Sequence, residues 1–360
     1  MGRGLWVAAG LLLLGAAGCG PSAVVGSAGA PTASIPSSTA ATAAVTPSPA
    51  TTASPTAAAA HPAATTRAAT AAAPPSPTPQ ATTQATTNAT ATATITPTPF
   101  PTFTPPPPPP PVADEHLYWQ RPVPAAGPTW TDKSYPYGST RGGSLRPHHG
   151  VEFVVPPGTL VLAVASGTVR VAGDDSQTAY GPQTNFYGNL VVLELAGTGD
   201  SPIFALYGHL SEVAVSVGQV VAAGETLGLS GASGVADGPH LHLEVRAAEN
   251  NYVATLNPLL WLKPLPSTGV VAGRVVGAGG ELLHEAPIAL QRVDGPAPYT
   301  ATTSYALNGP NADGALGENF VMDDVEPGFY QVVVASGSRR QTVDLWVYPD
   351  RVNWVEITVR

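Results

Sequence analysis

The run Gly238-Pro239-His240-Leu241-His242-Leu243-Glu244 places two imidazoles one residue apart in an apolar, strand-like stretch. Residues of equal parity share one face of a β-strand, so the two rings can converge on one ion or one reacting atom. Histidine pairs also occur on ordinary solvated strands. This pair gains weight from company upstream: His148 and Glu152 in His148-His149-Gly150-Val151-Glu152, and His209 in Tyr207-Gly208-His209-Leu210. Two imidazoles and a carboxylate suit zinc, and further imidazoles beside them suit proton transfer. The parity of 148 with 152, and of 240 with 242, lets each pair share a face. His149 has the opposite parity, which predicts an outward-facing ring. Glu244 shares parity with the histidine pair. It is either a support for them or a structural ion-pair partner for a residue such as Arg246 or Arg170.

Such a cluster needs a rigid scaffold. From about Ala113 to Pro266, short apolar runs alternate with Gly, Pro, Asn and Asp: 151–155, 160–164, 189–193 and 240–245. That pattern predicts strands and turns, with no amphipathic helix of four turns. Glycines at 218, 224 and 228 sit between apolar, partly β-branched stretches, as the tight corners of a folded-over sheet require. The loops Ser134 to Pro147 and Ala172 to Phe186 are expected to wall the site. A second unit, 267–360, offers strands at 270–276, 287–293 and 320–325, then a Pro327-Gly328 turn and more strands. These predict a small β-sandwich. The expected fold class is all-β: a folded-over antiparallel sheet at 113–266 and a sandwich at 267–360, preceded by a disordered linker.

The first 112 residues have another character. Met1-Gly2-Arg3 precedes an apolar run, Leu5 to Leu14, that is too short to span a membrane and has the layout of an export signal over 1–18. Cys19, after Ala16-Ala17-Gly18, is the one cysteine of the chain, so it has no internal disulfide partner. Its placement resembles a bacterial lipobox, with Ala16 where leucine is usual. That implies lipidation at Cys19, an exported protein of the cell envelope and an anchor to the membrane. Residues 19–112 are nearly all Ala, Thr, Ser and Pro and end in Pro105 to Pro111. They cannot bury enough apolar surface to offset chain entropy, which predicts a disordered tether with a stiff proline end. As a coil it would span roughly 50–60 Å. All 24 acidic residues lie beyond Val112, and the net charge of −9 excludes nucleic acid as an expected partner.

The region 135–263 resembles the lysostaphin-type zinc endopeptidases that cut peptidoglycan cross-links. The resemblance rests on His148-His149-Gly150-Val151-Glu152, Pro157-Gly158-Thr159, Gly167-Thr168-Val169, Tyr187-Gly188-Asn189, Tyr207-Gly208-His209-Leu210 and Gly238 to Arg246, in that order. It implies zinc ligands His148, Glu152 and His242 with a fourth, open position, as in catalytic zinc sites. It further implies His209 and His240 as catalytic groups beside the water, and a peptidoglycan peptide as substrate. Position 152 is a departure, since the family motif has Asp. Glutamate is an ordinary zinc ligand, but its extra methylene must be absorbed by the geometry. The unit 267–360 resembles carboxypeptidase-regulatory-like or immunoglobulin-like accessory domains, and His284 within it reads as a surface residue.

Other chemistries fit less well. A lipoyl- or biotin-carrier needs a lysine at a hairpin tip, and there is none between Lys133 and Lys263. A serine hydrolase lacks its Gly-x-Ser-x-Gly elbow. The competing expectation is a catalytically silent, peptidase-like lipoprotein that binds the wall or regulates its hydrolysis. Neither the cleaved bond nor the oligomeric state follows from the sequence.

Overall fold

The computed structural model describes residues 99–113, 115–196, 201–296 and 300–360. The signal segment 1–18, the lipidation site Cys19 and most of the 19–112 tether lie outside the described residues. No described helix is long and apolar enough to cross a membrane.

Among the described residues the first folded part holds nine strands: β1 (Val151–Phe153), β2 (Leu160–Leu162), β3 (Gly167–Asp174), β4 (Asn189–Leu195), β5 (Ile203–Val213), β6 (Val220–Val221), β7 (Thr226–Ser230), β8 (Leu241–Ala247) and β9 (Thr255–Leu256). The main sheet runs β1-β8-β5-β4-β3-β6, with β9 on β8 and with β7 bridging β2 and β5. Every pairing is antiparallel, as the short apolar runs and turns predict.

Two registers decide where chemistry sits. Glu152 lies directly opposite His242 across β1 and β8, and His242 lies opposite Gly208 across β8 and β5. The eleven-residue β5 changes partner along its length. It pairs with β8 up to Gly208, and from Leu210 it pairs with β7 through a bulge. His209 stands at that crossover with φ of 61°, a left-handed conformation uncommon outside glycine.

The second part is a β-sandwich. Its strands are β10 (Gly269–Gly277), β11 (Pro287–Arg292), β12 (Thr300–Thr303), β13 (Phe320–Val325), β14 (Gly328–Ser336), β15 (Arg339–Val347) and β16 (Val352–Val359). One sheet is β13-β10-β16, with β10 parallel to β16; the other is β12-β11-β14-β15. The Pro327-Gly328 step joins strands of different sheets, so that Phe320 and Met322 meet Tyr330, Val332 and Val334 in the sandwich core.

The Val-Val-Ala-Gly-Arg-Val-Val run of β10 is apolar almost throughout because it is covered on both faces. Val271 and Val275 enter the sandwich core. Val270 and Ala272 join the core of the first part with Trp119, Trp261, Tyr305, Val321 and Val352. Tyr305 packs edge-on to Tyr137 at 5.2 Å and covers Gly138, whose φ of 81° and contact with that ring leave no room for a side chain.

Candidate metal centre

The three donors expected from the sequence come together. One ligand atom from each of His148, Glu152 and His242 lies within 4.8 Å of the others. His148 enters from the residue run before β1, Glu152 from β1 and His242 from the neighbouring β8. Glu152 Oε1 is 3.6 Å from His148 Nε2 and also 3.6 Å from His240 Nε2. The longer side chain at position 152 therefore reaches the cluster.

Each of the four imidazoles has one nitrogen committed to an oxygen. His148 Nδ1 donates to Tyr135 O at 2.6 Å, and its ring stacks on that of Tyr135 at 4.1 Å. His209 Nδ1 donates to Ser233 O and His240 Nδ1 to Gly238 O, both at 2.8 Å. His242 Nε2 donates to Glu244 Oε1 at 3.2 Å. Carbonyl and carboxylate oxygens only accept, so these partners assign the tautomers.

His148 Nε2 and His242 Nδ1 are then left as lone pairs facing each other across 3.4 Å, with a carboxylate beside them. Lone pairs opposed in this way repel, and a cation between them removes the conflict. The donor set of two nitrogens and one carboxylate suits a zinc ion with an open coordination position. Burial, then the His242 imidazole, pushes His148 well below its ordinary value, which keeps it in the neutral form a metal requires.

His209 and His240 flank the cluster with ring centroids 4.7 Å apart. His240 Nε2 is buried and has no hydrogen-bond partner among the described residues. Burial, then His242 and His240, lowers His209 to about 3. The ring is accordingly neutral, with a lone pair on Nε2.

Behind His242 stands a polar network that sequence reasoning saw only in outline. Tyr187 donates its hydroxyl to Glu244 Oε1, and Arg246 donates to Glu244 Oε2 at 2.8 Å and to Tyr187 Oη at 3.1 Å. Both alternatives for Glu244 hold at once: it supports His242 and pairs with Arg246. Burial acting alone would raise the Glu244 carboxyl, but Arg246, His242 and Tyr187 outweigh it and hold the group at about 2. A buried acid and base in mutual contact fix the His242 ring, because moving either leaves a charge uncompensated. The signal was present as an unbroken period of two, His240-x-His242-x-Glu244-x-Arg246, in an otherwise apolar strand.

The loops are fastened by backbone contacts. Asp175 accepts from the N–H groups of Phe186, Tyr187 and Gly188, closing the loop before β4. Gly188 and Gly234 touch backbone to backbone at positive φ, which holds the Ser233 carbonyl beneath His209.

A cleft of about 510 Å³ opens over the cluster. Its walls include Tyr135, Arg141 and Arg146 from the first expected loop and Phe186 from the second, together with 235–239 and Tyr252. His149 departs from expectation. Its ring is not turned out to solvent but stacks on Tyr252 at 3.8 Å, bonds Thr255 Oγ1 at 2.8 Å and lines the cleft. Strand parity does not govern it, because β1 begins only at Val151. His284 is exposed, as expected of a surface residue, and its Nδ1 bonds Tyr305 O at 3.1 Å.

Residues 146–255 match the model of Peptidase family M23. An uncharacterized metalloprotease of Haemophilus influenzae is 37% identical over 130 residues, 36% of this chain and 24% of that one. Peptidoglycan DD-endopeptidase ShyA of Vibrio cholerae is 35% identical over 101 residues, 28% of this chain and 20% of that one. The chain thus spans about a quarter or less of the length of these curated relatives. The catalytic domain of the antimicrobial peptidase lysostaphin from Staphylococcus simulans is 30% identical, covering 36% of this chain and 86% of that one, with a TM-score of 0.29.

Proposed function

We propose that the M23-matching part of this chain is a zinc-dependent endopeptidase that hydrolyses peptide bonds in peptidoglycan cross-links or stems. The observation that carries this reading is the convergence of His148 Nε2, His242 Nδ1 and the Glu152 carboxylate at the floor of an open cleft, with two further imidazoles beside them. Zinc held by those three residues would supply Lewis acidity toward the scissile carbonyl and toward a water molecule.

The chain's own residues supply the proton handling. His209 Nε2 accepts a proton from the attacking water, while Ser233 O fixes the ring by holding Nδ1–H. His240, its Nδ1 held by Gly238 O, keeps a bare Nε2 beside the same point, where it can relay the proton that leaves the water. Return of the proton from His209 to the departing amine completes the hydrolysis. Arg141 and Arg146, on the cleft wall, offer guanidinium groups to the carboxylates of a peptide stem.

The same reading places the protein in the cell envelope, exported through the segment 1–18 and anchored to a membrane by a lipid on Cys19. This rests on the sequence pattern of the first nineteen residues. The test is zinc content together with muropeptide release from purified peptidoglycan, for the natural chain beside Glu152→Asp. One bound zinc and released muropeptides are expected of the natural chain. Release by the aspartate variant alone would make the protein a binding or regulatory lipoprotein instead.

A further inference from the structure

We propose that the outer face of the sandwich is a docking surface for proline-rich chain, and that its occupant is the protein's own run Phe103–Pro111. In β14 and β15 the buried Tyr330 and Val347 point into the core, so their neighbours Phe329 and Trp346 point outward. Phe329 and Trp346 are directly opposed in register, and their rings lie 5.0 Å apart. Tyr348, two residues beyond Trp346, extends the row.

Three anchors lay the run along this row. Phe103 packs its ring on Phe329 at 4.8 Å. Tyr348 donates its hydroxyl to Pro106 O at 2.8 Å. At the far end Val112 packs on the core, and Glu115 Oε2 accepts from Val352 N at 3.0 Å.

Proline chemistry suits this arrangement. A proline run has no N–H, so it cannot add to the sheet edge as a strand, yet its carbonyls remain strong acceptors. Its restricted backbone loses little entropy on docking, and aromatic rows with a hydroxyl donor are a recurrent surface for such ligands. Left bare, the same row would be an exposed aromatic patch. From Phe103 onward the proline segment is therefore a strap on the folded head rather than a free spacer.

Native-state digestion of the full chain with chymotrypsin tests this by following scission of the Phe103–Thr104 bond. Tyr348→Phe removes only the hydroxyl, and Trp346→Ala removes the stacking partner of Phe329. Each is expected to speed that cut on the order of five- to tenfold, because cleavage tracks the undocked population. Unchanged thermal unfolding midpoints would show that the fold is retained. Should Trp346→Ala unfold, Tyr348→Phe alone decides. Equal cutting rates in the natural chain and in the folded variants would overturn the proposal.

Discussion

Four histidines reach one point by the same device: an oxygen holds one ring nitrogen and the other is left bare toward the centre. What separates their roles is position. His148 and His242 share the 4.8 Å cluster with Glu152, whereas His209 and His240 stand at its edge. His242→Ala is therefore expected to abolish stoichiometric zinc binding, measured by metal analysis after dialysis. His209→Ala is expected to retain zinc while muropeptide release falls by about 10²–10⁴-fold. Loss of zinc in the second variant would place His209 among the ligands.

Strands position these rings, and the tolerance is small. Gly150 links His148 to β1, and a Cβ there would stand 2.5 Å from Leu243 O and 2.7 Å from His242 Nε2. Gly150→Ala must displace the His242 ring or the β8 backbone beside it. A loss of zinc affinity of about 10–100-fold is expected, as for other disturbed ligand supports, with competition against a chelator as the measurement. Unchanged affinity would mean that β1 and β8 slide apart without moving the donors. The kink at His209 belongs to the same scale: a left-handed residue is placed where β5 trades β8 for β7. That exchange aims its ring across the strand end toward His240.

Across the whole molecule, the sandwich and the cleft share a core. Tyr305 covers Gly138, and Ala306 N donates to Gly138 O at 2.8 Å, so the sandwich holds the loop that carries Arg141 and Arg146. Tyr305 in turn donates to Glu318 Oε1 at 3.0 Å. Burial pushes the Glu318 carboxyl up from 4.5 to about 7. Between those pH values the folded chain keeps a proton that the unfolded chain has released. Stability is therefore expected to decline as pH rises through that window, by up to about 3 kcal/mol from this group. In urea unfolding at pH 5 and pH 7, Glu318→Gln should show a smaller decline than the natural chain. An equal decline would assign it elsewhere, for example to Asp324, which burial and Asp323 raise to about 6.

The donor types, their chain order and the all-β class were legible from residue identity, because β-parity and turn chemistry are local properties. The period-two stripe from His240 to Arg246 even marked which strand would carry the buried charges. Position was a different matter. His149 turned inward because stacking on Tyr252, some hundred residues away, outweighed its parity with neighbours that are not yet in a strand. The carbonyls of Tyr135, Ser233 and Gly238 that set the tautomers have no side-chain signal at all, and only packing brings them under the rings. Thr300–Thr303 lacks an apolar alternation, and it is a strand because β11 offers it hydrogen bonds. The proline run reads as a stiff spacer, since its composition contains no reason to pack; the docking proposed for it rests on an aromatic row assembled from β14, β15 and the residue after them. Sequence by itself determined which groups the chain can offer to a metal and a proton. Tertiary structure alone decided which nitrogen each ring presents and which surfaces are already covered, because both depend on contacts between residues far apart in the chain.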